Sequence, residues 1–255
     1  MGGLLMRVGF GALALLVLAV ELGSQAAERT ETRVPRPEQI VSRKEWGSKP
    51  DPIPESRRHT PRVITLHHAG VLWTNSVKPE EFVRNMQAWG KKRPEIEQPP
   101  RNTFWPDLPY HFLIAPDGRI FEGRPLEYEP DTNTKYDVSG HLGVEMVGDF
   151  DRQRPSVEQL ESAVRIVAWL MQEHQIAIDQ VRTHRDIAPG QTGCPGRDFY
   201  RYMLDGQFRK WIGAVQAGEE LKIDPGPSLP AEPAGPTELV TETRAAEKST
   251  AEKTP

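Results

Sequence analysis

The sequence predicts an α/β fold: a central mixed β-sheet flanked by helices, in a single folded domain. Three observations point there. Short β-rich runs alternate with longer segments of helical periodicity along the middle of the chain, the pattern of a sheet covered by helices. The 255 residues are 37% hydrophobic and include 21 glycines, enough for one ordinary core. The two ends differ in composition from the middle, which confines the domain to residues 40–217.

The elements follow in order. Residues 62–66 are a β-rich run that ends at His67 and His68. Residues 79–89 carry Phe82, Met86 and Trp89 at helical spacing, with Glu80 and Glu81 favourably placed against the helix dipole in the first turn. Residues 91–106 read as a proline-rich loop. Residues 110–115, a Pro116-Asp117-Gly118 turn and residues 119–122 give a β-hairpin. Residues 141–147 form a further strand. Residues 156–174 are the strongest helix: Ser156 and Gln159 make a capping box, and Leu160, Val164, Val167 and Met171 form one apolar stripe. Residues 181–183 are a short strand leading into His184. One closing helix spans residues 198–215, with Leu204, Phe208, Trp211 and Ile212 facing inward.

The ends carry other information. Arg7 precedes an unbroken apolar run at residues 8–20, and Ser24-Gln25-Ala26 offers small residues at a cleavage site, so residues 1–26 read as an export signal. The run is short of the ~20 residues a spanning helix needs, so no stable membrane span is expected after cleavage. Residues 27–39 are a polar linker. Residues 218–255 hold six prolines, no aromatic residue, and four basic against eight acidic residues; they are expected to be a disordered Pro/Glu-rich tail. That tail accounts for the whole net charge of −4, and with no global basic field, nucleic acid is not the expected partner on charge grounds.

One cysteine in the chain excludes an intramolecular disulfide. That residue, Cys194, sits in a tight Gly193-Cys194-Pro195-Gly196 loop ten residues after His184. His67 and His184 each follow a strand, where a side chain at the rim of a sheet opens onto a pocket. Two imidazoles and one thiolate suit Zn²⁺ and leave the fourth tetrahedral position free, the arrangement of a catalytic site. Spacing alone leaves the plainer reading open: a lone cysteine is usually a small hydrophobe, and a histidine beyond a strand is usually a hydrogen-bonded or surface group.

Four ordered segments add a resemblance. IVSRKEWG at 40–47, VITLHH at 63–68, LPYHFLIAPDGRIFEGR at 108–124 and THRDIAPGQTGCPG at 183–196 together resemble the peptidoglycan recognition protein and zinc N-acetylmuramoyl-L-alanine amidase family. The likeness runs from about residue 40 to residue 211. It implies zinc held by His67, His184 and Cys194, His67 being taken over His68 because the family uses the first histidine of the pair. It implies hydrolysis of the amide between N-acetylmuramic acid and L-alanine in peptidoglycan or muropeptides. By position it implies three further site residues: Tyr110, orienting water or stabilising the transition state; Glu145, a general base; and Thr192, contacting the substrate carbonyl. Glu145 also stands out unaided, as a charge in an otherwise apolar strand.

The chain departs from the family pattern in several places. Pro109 replaces the usual glycine, the proline-rich insertion lies near the expected groove, and DTNT at 131–134 stands where an Ala-His-Ala motif is common. His141 occupies a position where serine or asparagine is usual. With the export signal, the resemblance implies a periplasmic or extracellular enzyme. A non-catalytic peptidoglycan-binding module is the alternative, against which the retention of Cys194 and both histidines speaks. The sequence leaves the oligomeric state open.

Overall fold

A computed structural model describes Gly2, residues 33–91 and residues 105–230. The span 33–230 falls within one compact unit. The expected export signal apart from Gly2, most of the loop at 91–106 and the tail beyond residue 230 lie outside the described residues.

Six strands form one mixed sheet. They are β1 (Ile40–Val41), β2 (Val63–His68), β3 (Phe112–Ile114), β4 (Ile120–Glu122), β5 (His141–Met146) and β6 (Val181–Thr183), in the spatial order β1-β4-β3-β5-β2-β6. β3, β5, β2 and β6 run parallel, while β4 returns antiparallel from β3 through the predicted hairpin and pairs in parallel with β1. The helices are α1 (Arg43–Trp46), α2 (Pro79–Lys91), α3 (Val157–Glu173), α4 (His184–Ile187), α5 (Arg197–Leu204) and α6 (Gln207–Gln216).

Strand alternation divides the sheet into two faces. Ile64 and Leu66 of β2 and Leu142, Val144 and Met146 of β5 join the main core, which α3, α5 and α6 cover with Leu160, Val164, Val167, Phe199, Phe208 and Ile212. On the other face a smaller core gathers Trp46, Val83, Leu108, Leu113, Ala115 and Phe121. β2 and β5 lie side by side with His67 level with Glu145, so both side chains belong to this second face. The second face therefore has an apolar end under α1 and α2 and a polar end over β2 and β5.

The capping box of α3 forms as the sequence indicates: Gln159 N donates to Ser156 Oγ at 2.9 Å and Ser156 N donates to Gln159 Oε1 at 3.3 Å. Elsewhere the structure corrects the expectations. In α2 the buried side is Val83, Gln87 and Gly90, and Trp89 is exposed. Gln87 faces inward because the carboxylate of buried Asp107 accepts its side-chain N–H at 2.6 Å. The closing helix is two helices, broken at Asp205-Gly206, where Gly206 takes a left-handed φ of 75° that a continuing helix forbids. Leu204, expected inside, is 71% exposed at that break.

Two segments assigned outside the domain are packed on it. Val34 of the expected linker is buried, and its N–H donates to Gln172 Oε1 at 2.8 Å. Of the expected tail, residues 218–230 lie along α5: Leu221 enters the main core, and the carbonyls of Pro225 and Pro227 accept hydrogen bonds from Arg201. Proline keeps its carbonyl as an acceptor, so a proline-rich strand offers bonding groups that a count of apolar residues overlooks. No helix among the described residues is long and apolar enough to cross a membrane.

Candidate metal centre

His67, His184 and Cys194 come from three separate parts of the chain and converge on the polar end of the second face. One ligand-capable atom of each lies within 4.8 Å of the others. His67 is the fifth residue of β2, and its Nδ1 is 3.7 Å from Cys194 Sγ. His184 opens α4, a short helix fixed by a capping box in which Thr183 N donates to Asp186 Oδ2 at 3.0 Å. Its ring centroid is 4.6 Å from that of His67. Cys194 is held from both sides: its N–H donates to Thr192 Oγ1 at 3.0 Å, and His68 N donates to its Sγ at 3.3 Å.

His68 itself points to the opposite face, as alternation requires. Its Nδ1 accepts the Phe150 N–H at 3.1 Å and its ring packs near that of Phe150. Of the two histidines, His67 is the one whose side chain lies with His184 and Cys194.

The donor set suits a zinc ion. Burial holds His67 well below the usual histidine range and takes His184 down to about 4, so both imidazoles are neutral, the form that ligates. Burial pushes the Cys194 thiol up. A thiol so placed ionises only beside a cation, and the His68 N–H aimed at Sγ is the kind of donor that supports a thiolate.

Around these three lie the other sequence candidates. Glu145 is fully buried, and among the described residues neither carboxyl oxygen has a hydrogen-bond partner. Burial pushes its pKa well above the usual carboxylate range. Tyr110 is half-buried, with its ring centroid 4.9 Å from that of His67; burial, then the nearby Glu145, raises its pKa well above 10. Gly143 makes room for that ring, since a Cβ there would lie 3.2 Å from Tyr110 Cδ1. Thr192 is adjacent; its oxygen accepts the Cys194 N–H, and its own O–H remains available to donate. His141 shares the face with Glu145; its Nδ1 is 2.7 Å from Thr65 Oγ1, and its ring is near that of Tyr136.

The sequence reading did not single out Thr132, Thr134 or Tyr136. Thr134 Oγ1 is 2.6 Å and Thr132 Oγ1 3.4 Å from His184 Nε2, and the Tyr136 ring lies 5.8 Å from that of His184. The two threonines leave one trace in the sequence, the departure at 131–134, and Tyr136 leaves none.

The comparisons decide the family. A family model described as N-acetylmuramoyl-L-alanine amidase matches residues 57–197, more than half of the chain. The chain belongs to the N-acetylmuramoyl-L-alanine amidase family. Curated relatives of this family member include peptidoglycan-recognition protein SD of Drosophila simulans, 27% identical over 176 residues, covering 68% of this chain and 87% of the relative. Another is peptidoglycan recognition protein 1 of Rattus norvegicus, 25% identical over 163 residues, covering 63% of this chain and 83% of the relative. Among solved structures, the chain has the fold of N-acetylmuramoyl-L-alanine amidase LysC from Clostridium intestinale URNW, with a TM-score of 0.50 and 22% identity over 68% of this chain and 99% of that one. It shares the fold of human PGRP-IBETAC, solved in complex with glycosamyl muramyl pentapeptide, with a TM-score of 0.51 and 24% identity over 63% and 92% of the two chains. The family thus spans amidases and peptidoglycan-recognition proteins.

Proposed function

We propose that the protein is an exported, zinc-dependent N-acetylmuramoyl-L-alanine amidase. It cleaves the amide between N-acetylmuramic acid and the L-alanine of the stem peptide, in the periplasm or outside the cell. The observation that carries this reading is the placement of an unpartnered buried carboxyl, Glu145, on the strand beside the His67-His184-Cys194 cluster. A surface that only binds peptidoglycan has no use for that carboxyl, which costs stability where it stands.

His67, His184 and Cys194 would hold the metal. Zinc in such a site supplies Lewis acidity that polarises an amide carbonyl and lowers the pKa of water. The chain's own groups supply the rest. A Glu145 carboxyl oxygen takes the proton of the attacking water and hands it to the departing amine of L-alanine. Tyr110 keeps its proton and donates it as a hydrogen bond to the oxygen on which negative charge develops. The free O–H of Thr192 serves the same carbonyl. Peptidoglycan or a soluble muropeptide is the partner, laid over the polar end of the second face. Export rests on the composition of residues 1–26, and it accords with an unpaired thiol protected by ligation.

The test is direct. Purified protein is expected to carry about one zinc per chain, the stoichiometry of a single three-ligand site. Cys194→Ser is expected to lose both the metal and the release of stem peptides. Metal-free wild-type protein that binds peptidoglycan unchanged would instead favour a recognition role, the role named for several relatives.

A further inference from the structure

The loop from Asp131 to Tyr136 has no part in the proposed chemistry, yet it touches two of the three ligand segments. Thr134 Oγ1 lies 2.6 Å from His184 Nε2, and Thr132 Oγ1 lies 3.0 Å from Thr134 Oγ1 and 3.4 Å from the same nitrogen. Beside them, Lys135 N donates to Gln191 Oε1 at 2.7 Å and Gln191 Nε2 donates back to Lys135 O at 3.1 Å. Gln191 stands three residues before Cys194, on the loop that delivers the thiol.

The other end of this loop is fixed inside the protein. Asp131 is 6% exposed and ion-paired with Arg124, itself 1% exposed, and with Arg57 Nη2 at 2.9 Å. Its N–H donates to Pro109 O at 3.1 Å, next to Tyr110. A buried ion pair is costly to separate, so the residues that follow it start from a fixed point.

We propose that Thr134, backed by Thr132, is a positioning residue for the metal centre. The Thr134 oxygen accepts Nε2–H of His184, and its own O–H passes on to Thr132 Oγ1. A neutral imidazole has one donor and one acceptor nitrogen, so this bond places the proton on Nε2 and leaves Nδ1 as the metal-facing nitrogen. The need for such a partner is local. His184 opens a helix of only four residues, and although its ring packs near those of His67 and Tyr136, ring packing does not distinguish its two nitrogens as a hydrogen bond at Nε2 does. The inference rests on the zinc reading above and adds to it the group that orients one ligand.

The experiment compares wild type, Thr134→Val, Thr134→Ser and the double variant Thr132→Val/Thr134→Val. Zinc affinity is read by competition with a chromophoric chelator, and ligand geometry by the visible absorption of the Co²⁺-substituted proteins. Thermal unfolding of the metal-free forms checks that each variant folds. Thr134→Val is expected to lose ~10- to 100-fold in zinc affinity, the usual cost of removing a histidine's outer hydrogen-bond partner, with a changed Co²⁺ spectrum. Thr134→Ser, which keeps the hydroxyl, is expected to restore both. Wild-type affinity and spectrum in Thr134→Val and in the double variant overturn the proposal while leaving the zinc reading intact. Failure of the wild-type protein itself to take up zinc overturns the zinc reading, and this inference with it.

Discussion

Glu145 is the residue whose surroundings make least sense without chemistry. It sits fully buried on a strand that is apolar apart from His141 at its start, level with His67, with no hydrogen bond to either oxygen among the described residues. Glu145→Gln preserves volume and polarity while removing the basic oxygen. It is expected to keep zinc and lose ~10²-fold or more in turnover, measured by release of stem peptide under saturating substrate. A wild-type rate removes Glu145 from the mechanism. The sequence drew attention to the three candidate ligands and this carboxyl because each is an unusual residue type for its place, but spacing alone left the plainer reading open, and the choice of His67, His184 and Cys194 as a ligand set came from the family resemblance. Thr132 and Thr134 were not legible. A threonine in a loop is ordinary, and their nearness to His184 is set by a buried ion pair and by pairing across some fifty residues of chain.

Among the elements, α3 was fully legible and α2 was not, for a single reason. The α3 stripe is apolar throughout and its cap is written in adjacent residues, so local pattern and tertiary burial agree. In α2 the inward face includes Gln87, whose amide is satisfied by Asp107 twenty residues away, and no periodicity of apolar residues finds that face. The break between α5 and α6 had a local signal in Asp205-Gly206, overridden by the apolar spacing across it. The α3 cap carries a direct prediction. Ser156→Ala removes the acceptor for Gln159 N and the donor to Pro116 O, and is expected to cost ~1 kcal/mol in urea unfolding. An unchanged midpoint would show that the tie from Gln159 to Ile114 O and Val147 O suffices to start the helix.

At the scale of the molecule, the fold brings together what lies far apart in sequence: parallel strands β2, β5 and β6 end at one rim, and the side chains that leave the main core there face each other. The mixed sheet was legible from alternating elements, but its strand order was not, because pairing between β2 and β5 depends on a crossover more than seventy residues long. Burial has a further consequence. All seven histidines are held below the usual histidine range, His141 and His184 down to about 4 and His111 to about 3. The unfolded chain takes up their protons near pH 6.5 while the folded chain does not, so their contribution to stability is complete above pH 6.5 and is lost as pH falls toward 4 and 3. Glu145, raised by burial, acts in the opposite sense over part of that window, but as one group against seven. The metal-free protein is therefore expected to lose stability between pH 7 and pH 5 in urea titrations, and a flat profile there would contradict the buried neutral histidines. The central claim concerns the reaction. Polymeric peptidoglycan incubated with the zinc-loaded protein and resolved by mass spectrometry is expected to yield free stem peptides beginning at L-alanine, with none formed in the presence of a chelator. Intact polymer that retains the bound protein would contradict the amidase account.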